Sequence, residues 1–103
     1  MEMDCEPSLE WLPDVASGLK HKWNEKPMHV SAILSLINMI VSAAIKNGDI
    51  DQETIVLTME NLRFSIPSSS STSYTLLKEQ LQVTRIQLEM LMATSFLSLS
   101  QTY

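Results

Sequence analysis

Residues 28–49 read MHVSAILSLINMIVSAAIKNGD, and from Met28 to Ile45 there is no Asp, Glu, Lys or Arg. Eighteen uncharged residues lie at the lower edge of what crosses a bilayer as a helix. Eight of them are Val, Leu or Ile, and at about −0.3 to −0.6 kcal/mol each they favour insertion by roughly 2.4 to 4.8 kcal/mol. Against this stand His29, Ser31, Ser35, Ser42 and a central Asn38, because polar groups in hydrocarbon are costly unless paired. Arrangement separates the two readings. Ser31, Ser35, Asn38 and Ser42 follow one another at steps of four, three and four, which places them on one stripe of a helix. The rest of the surface is aliphatic. A narrow uncharged seam on a wide apolar arc is the pattern of a bundle helix buried on most sides. Lys46 suits the C-terminal dipole, and Asn47-Gly48 supplies a left-handed stop. The stretch is therefore expected as the central helix of a soluble all-α bundle. The alternative is a small membrane-associated protein that uses residues 28–45 as a marginal transmembrane or interfacial helix.

The remainder of the chain fits a bundle of about four helices. Among its 103 residues there are only two glycines, and turn signals are too sparse for a many-stranded β fold. With 45% apolar residues the chain has enough to build one core. The net charge is −5, with seven scattered Lys and Arg, which argues against a nucleic-acid surface, since phosphate neutralisation needs clustered bases. Cys5 is the single cysteine, so no intrachain disulfide forms. Its acidic surroundings disfavour the thiolate. The acidic beginning is unlike a secretory signal, and the expected location is a reducing one, cytoplasmic or nuclear.

Organisation follows from local punctuation. Residues 1–7 are acidic and expected to fray. Residues 8–67 are expected to form a core segment of three helices. In the first, Leu12, Val15, Leu19 and Trp23 recur at helical spacing, Ser8 is a candidate cap, and Pro13 belongs either to the first turn or just after a separate short turn. Lys20, His21, Lys22 and Lys26 make the one basic patch. Pro27 opens the second helix. Asp51 is the expected cap of the third, with Ile50 and Ile55 as a hydrophobic staple and Ile55, Val56, Met59 and Leu62 as its apolar face. Leu62, Phe64 and Ile66 alternate, so the chain is expected to leave extended before Pro67. Residues 68–73 read as a Ser-rich linker whose last hydroxyls cap a helix starting near Tyr74.

That last segment, residues 74–103, carries two apolar faces. At about 100° per residue, Tyr74, Leu77, Leu81, Leu88, Met92 and Leu99 fall on one side. Leu76, Val83, Ile86, Met90 and Leu97 fall nearly opposite. Lys78, Gln82, Arg85 and Glu89 fill one strip between them, and Gln80, Gln87 and Thr94 the other. A surface helix of a small monomer needs one apolar stripe. Two stripes imply one face against the chain's own helices and a second against another layer. Val83, Met90 and Leu97 recur at seven, as do Leu81 and Leu88, a spacing compatible with coiled-coil-like packing. The expected interaction residues are therefore Leu77, Leu81, Leu88 and Met92 with Val83, Ile86, Met90 and Leu97, the external face being one of the two.

Reactive constellations do not emerge. His21 and His29 are eight apart with no Cys or carboxylate at ligand spacing. Aligning Gly48 with the glycine of a calcium loop puts Ala43 and Thr54 at its outer ligand positions, which fails. Neither a phosphate-cradling loop nor a nucleophile elbow is present. Trp11 and Trp23 read as core or interface anchors. No catalytic residue, metal or cofactor is expected. The expected function is a non-enzymatic interaction module, such as a small adaptor, assembly subunit or viral-type accessory protein. It acts through helix–helix contacts with a protein partner or as a homodimer.

Overall fold

A computed structural model describes residues 9–47, 51–68 and 71–100, with side chains described as far as Thr94 except that of Asn47. Expectations for Cys5, Ser8, Gly48, Ile50 and the side chains of Leu97 and Leu99 lie outside the described residues. Among the described residues there are four α-helices, α1 Leu12–Lys22, α2 Pro27–Asn47, α3 Gln52–Asn61 and α4 Thr72–Ser100. A single 3-10 turn, Leu9–Trp11, leads into α1. The fold is the all-α bundle with a long C-terminal helix.

The turn before α1 and the proline inside its first turn are both realised. Pro13 sits where its missing N–H has no helical partner to lose. Lys20, His21 and Lys22 occupy the last turn of α1, where cations complement the dipole. Trp23 N–H closes α1 on the Leu19 carbonyl at 2.9 Å, and the short turn that follows returns Lys26 N–H to Lys22 O at 3.0 Å. The connection between α1 and α2 is short, yet α1 packs mainly on α3 and not on α2. Asp51 precedes α3 with extended backbone (φ −75°, ψ 135°), the geometry of a cap, but its side chain makes no capping bond. The buried face of α3 is rotated from the expected one. Ile55 and Leu62 are buried as anticipated, Val56 and Met59 are half-buried, and Thr54 and Thr58 join the core. Thr58 tolerates burial because its hydroxyl donates to the Thr54 carbonyl at 2.7 Å. Residues 63–68 lie outside any helix, with Phe64 buried, Ile66 half-buried, and Arg63 and Ser65 exposed. That is the alternation a strand-like segment imposes. α4 then begins at Thr72, two residues earlier than its apolar pattern suggests, with Thr75 N–H on the Ser71 carbonyl at 3.1 Å.

One hydrophobic core joins all four helices. It takes Leu12, Ala16 and Leu19 from α1, Val30, Leu34, Ile37 and Val41 from α2, Ile55 from α3, and Leu77, Leu81, Leu88 and Leu91 from α4. The most extensive packing is between α2 and α4, followed by α1 with α3. The molecule is a slab of 50 × 33 × 19 Å, and its thinnest dimension is about two helix diameters. α2 and α4 are parallel: residues near 38 on one meet residues 80–84 on the other, and Ser42 meets Gln87. Parallel neighbours need a crossover, which α3 and the segment 63–68 provide. Trp23 closes the base. It stacks on Phe64 (centroids 5.8 Å apart, 14° between planes) and meets Tyr74 edge-on at 6.3 Å.

Gly18 lies exposed inside α1, and a methyl group placed on it meets nothing within 4 Å. Its cost is therefore purely that of glycine in a helix, about 0.5–1 kcal/mol. Gly18→Ala is expected to raise the melting temperature by about 2–8 °C, read by circular dichroism; a fall would show that this position is not interior helix.

Candidate functional site

The polar seam of α2 points at α4. Asn38 Nδ2 donates to Gln80 Oε1 at 2.9 Å, and Thr84 Oγ1 lies 2.7 Å from both Asn38 Oδ1 and the Gln80 carbonyl. One hydroxyl carries one proton, so Thr84 donates to one of these oxygens at a time. Turned over together, the two amides keep every contact. Gln80 then donates to Asn38 Oδ1, Asn38 donates to Thr84, and Thr84 donates to the Gln80 carbonyl. Four residues further on, Gln87 Nε2 donates to Ser42 Oγ at 3.0 Å, leaving buried Gln87 Oε1 without a partner. Ser31 is buried and Ser35 exposed. The Gln80–Gln87 strip of α4 is thus the counterpart of the Asn38–Ser42 stripe of α2.

Arg85 holds the other flank of α4. Its Nε donates to the Leu62 carbonyl at 3.0 Å, and Nη2 donates to Leu62 O at 2.6 Å and Phe64 O at 3.0 Å. These carbonyls lie where α3 ends and the chain leaves the helix, so one side chain satisfies acceptors that the helix leaves open. Burial lowers the Arg85 pKa from its ordinary value, and the neighbouring Arg63 charge pushes the same way. Asn61 Nδ2 ties the same region to α1 through the Pro13 carbonyl at 2.9 Å. Beside this clamp a cleft of about 500 Å³ is lined by Met59, Glu60, Arg63, Phe64, Glu89 and Met92, among others. It holds two glutamates and two arginines but no nucleophile paired with a base, so nothing in its lining assembles an acid–base pair. His29 lines a smaller apolar recess between α1 and α2, with Val15, Leu19, Val30 and Ile33. Among the described residues, no group of three His, Cys, Asp or Glu is placed to hold a metal ion.

The two faces of α4 receive different fates. Leu77, Leu81 and Leu88 are buried, and Met92 packs half-buried against the core. Val83, Ile86 and Met90 are exposed at 43, 49 and 51%. Leu97 continues that side by its spacing, with its side chain outside the described residues. α2 departs from expectation. Only 33% of an 18-residue apolar window within residues 27–46 is buried, so α2 is not a helix covered on most sides. Leu36 and Met39 are 59 and 68% exposed, and Met28 is exposed as well. The seam faces α4, the core lies on one side of it, and the surplus of the apolar arc is left on the other.

Helical rotation makes these exposures one surface. Met28, Ala32, Leu36, Met39 and Ala43 lie just outside the seam on α2. Leu76, Val83, Ile86 and Met90 lie outside it on α4. The two sets flank the same row of hydrogen bonds and form a two-helix apolar face on the side of the slab away from the core. Sequence reasoning missed Leu36 and Met39. The available signal was the width of the arc, too broad for one core helix of a chain this small. Trp11, expected as an anchor, is exposed on the turn before α1, whereas Trp23 is built into the base. No family model, curated protein or solved structure matches this chain.

Asn38→Ala is expected to cost about 1–2 kcal/mol, since Gln80 and Thr84 lose their cross-helix partner, and Arg85→Met about 1.5–3 kcal/mol for three charge-assisted bonds. Exposed Thr94→Ala is the control, within about 0.5 kcal/mol. Urea titrations with unchanged slope test all three; equal costs for Asn38→Ala and Thr94→Ala would show that the seam adds nothing to stability.

Proposed function

We propose that the chain is a non-enzymatic protein–protein interaction module acting through helix–helix contacts at the outer face of α2 and α4. A small adaptor, an assembly subunit or a viral-type accessory protein are all jobs of this kind. The carrying observation is the face itself, seven large apolar side chains about half exposed on two adjacent parallel helices. Isolated exposed hydrophobics need no explanation, but a contiguous patch of several hundred Å² marks a binding surface more often than bare solvent contact. The composition suits a protein partner: Leu, Ile, Val and Met dominate the face, and Glu79 is the one acidic residue in its α4 row. Methionines at 28, 39 and 90 give the face adaptable side chains.

A second reading has its own support. α2 is long and apolar enough to cross a membrane by length and composition, and its apolar surplus points outward. An interfacial helix would use the same side chains. The net charge of −5 and the absence of a basic fringe along the face weigh against anionic lipid.

The test is a Leu36→Glu/Val83→Glu double variant, whose helicity and melting should match the native chain because both side chains are exposed. Chemical cross-linking in the native cell, read by mass spectrometry, is expected to yield intermolecular links for the native chain and to lose them in the variant. Retained links would move the docking site elsewhere. Loss of vesicle flotation, with no cross-links in either protein, would transfer the face to the membrane reading.

A further inference from the structure

We infer that Ser65 is a phosphorylation site whose phosphoryl group is received by Arg63 and by Lys78 and Arg85 of α4. The inference is independent of the outer face, because Arg85 lies on the flank of α4 that meets the end of α3 and residues 63–68. The first ground is the surface around the serine. Two clefts meet at Arg85. The larger lies between α3 and α4. The other, of about 360 Å³, is lined by Ser65, Lys78, Gln82 and Arg85, with apolar contributions from Ile66 and Leu81. Ser65 and Arg85 belong to both. Ser65 is exposed, and its hydroxyl makes no hydrogen bond with any described residue.

Charge gives the second ground. The chain carries −5 overall, yet the only charged residues lining the smaller cleft are Lys78 and Arg85. Burial, and then the charge of Arg63, lower the Arg85 pKa, so the two guanidiniums stand close together. Among the described residues none of these three cations has an ion-pair partner. Glu60 and Glu89 line the larger cleft and not the smaller. Glu89 is about one turn of α4 above Arg85, and Lys78 about two turns below it. An anion on Ser65 therefore meets cations on the Lys78 side. Arg85 is prepared to receive it. Its Nε and Nη2 are taken up by the Leu62 and Phe64 carbonyls, which fixes the plane of the guanidinium. The N–H groups of Nη1 have no acceptor and are not buried. A phosphate oxygen suits such a fixed, charged donor.

Access is the third ground. Arg63 stands exposed two residues before Ser65, a cation at fixed offset of the kind by which kinases select substrates. Residues 64–68 make no backbone–backbone hydrogen bond with described residues, so an enzyme draws Ser65 out without breaking a helix. In the transfer, Ser65 Oγ attacks the terminal phosphorus of a nucleoside triphosphate. The new O–P bond forms, the bond to the departing nucleoside diphosphate breaks, and the hydroxyl proton passes to a base of the kinase. The product brings about −1.5 to −2 charge and three acceptor oxygens. It pins residues 63–68 to α4, where Arg85 alone reaches their carbonyls in the unmodified chain.

The full chain carrying genetically encoded phosphoserine at position 65 is expected to melt about 4–8 °C above the unmodified chain at neutral pH. Its phosphorus NMR signal should titrate with a midpoint near ~5 rather than the usual value of about 6, and the gain in melting temperature should shrink as pH falls through that midpoint. Lys78→Gln, an exposed change, and Arg85→Met should each reduce the gain, measured between modified and unmodified forms of the same variant. Mass spectrometry of the chain from its native cells, under phosphatase inhibition, is expected to find phosphate on Ser65. Ser65 left unmodified there overturns the serine as acceptor. Equal phosphorus midpoints in the folded and urea-unfolded chains overturn reception by the three cations. If inorganic phosphate raises the melting of Ser65→Ala as far as phosphoserine raises that of the native chain, the cleft is a site for a free anion and the proposal fails.

Discussion

The parallel alignment of α2 and α4 is the constraint on which the rest of the molecule depends. Apolar side chains alone would let two such helices slide by a turn, because Leu, Ile and Val fill one another's places at small cost. The Asn38–Gln80–Thr84 group does not allow that freedom. Slipping one helix past the other would bury amides and a hydroxyl without partners, each at about 1–3 kcal/mol. A polar group in an otherwise apolar contact therefore fixes register more firmly than it adds stability. Gln87 shows the residual cost, with one oxygen left buried and unpaired beyond its bond to Ser42.

From this alignment the crossover follows. Parallel helices cannot be joined by a tight turn, so the chain returns from the top of α2 to the base of α4 through α3 and a non-helical segment. That segment has no helical bonds of its own, and its carbonyls would be left open beside the core. Arg85 takes up two of them, while Phe64 is inserted against Trp23. Charge, stacking and apolar burial are thus concentrated where backbone hydrogen bonding is interrupted. Among the described residues the outer side of α2 and α4 has no such covering element, because α1 and α3 lie on the inner side.

Much of this was legible in the residues. The helices, the non-helical exit around Phe64, the early proline of α1 and the two-faced nature of α4 all follow from spacing. The serine and asparagine stripe was legible as a seam, and the Gln80–Gln87 strip as a second one. What periodicity could not supply was their pairing, since a stripe of uncharged polar residues looks the same against solvent as against another stripe. Nor could it choose between the faces of α4. Leu77, Leu81 and Leu88 are buried while Val83, Ile86 and Met90 are not, yet the two sets are equally apolar in sequence. The clamp by Arg85 was hidden for a different reason. A charged residue in a strip with Lys78, Gln82 and Glu89 reads as solvated, and its carbonyl acceptors lie more than twenty residues away in sequence. The outward half of α2 was hidden because a long uncharged stretch suggests burial on every side.

The aromatic cluster at the base carries a consequence for how the molecule can be watched. Trp23 belongs to the turn between α1 and α2, Phe64 to the crossover and Tyr74 to the start of α4, and Tyr74 reaches the Asn24 side chain at 3.3 Å. Three segments far apart in sequence must be docked together for that indole to be enclosed. The other indole, Trp11, stands exposed on a separate turn. The chain therefore contains a natural pair of optical reporters, one sensitive to assembly of the base and one largely indifferent to it. Their emission differs for a structural reason, and a shift confined to the enclosed indole would time the docking of α4 without any added label.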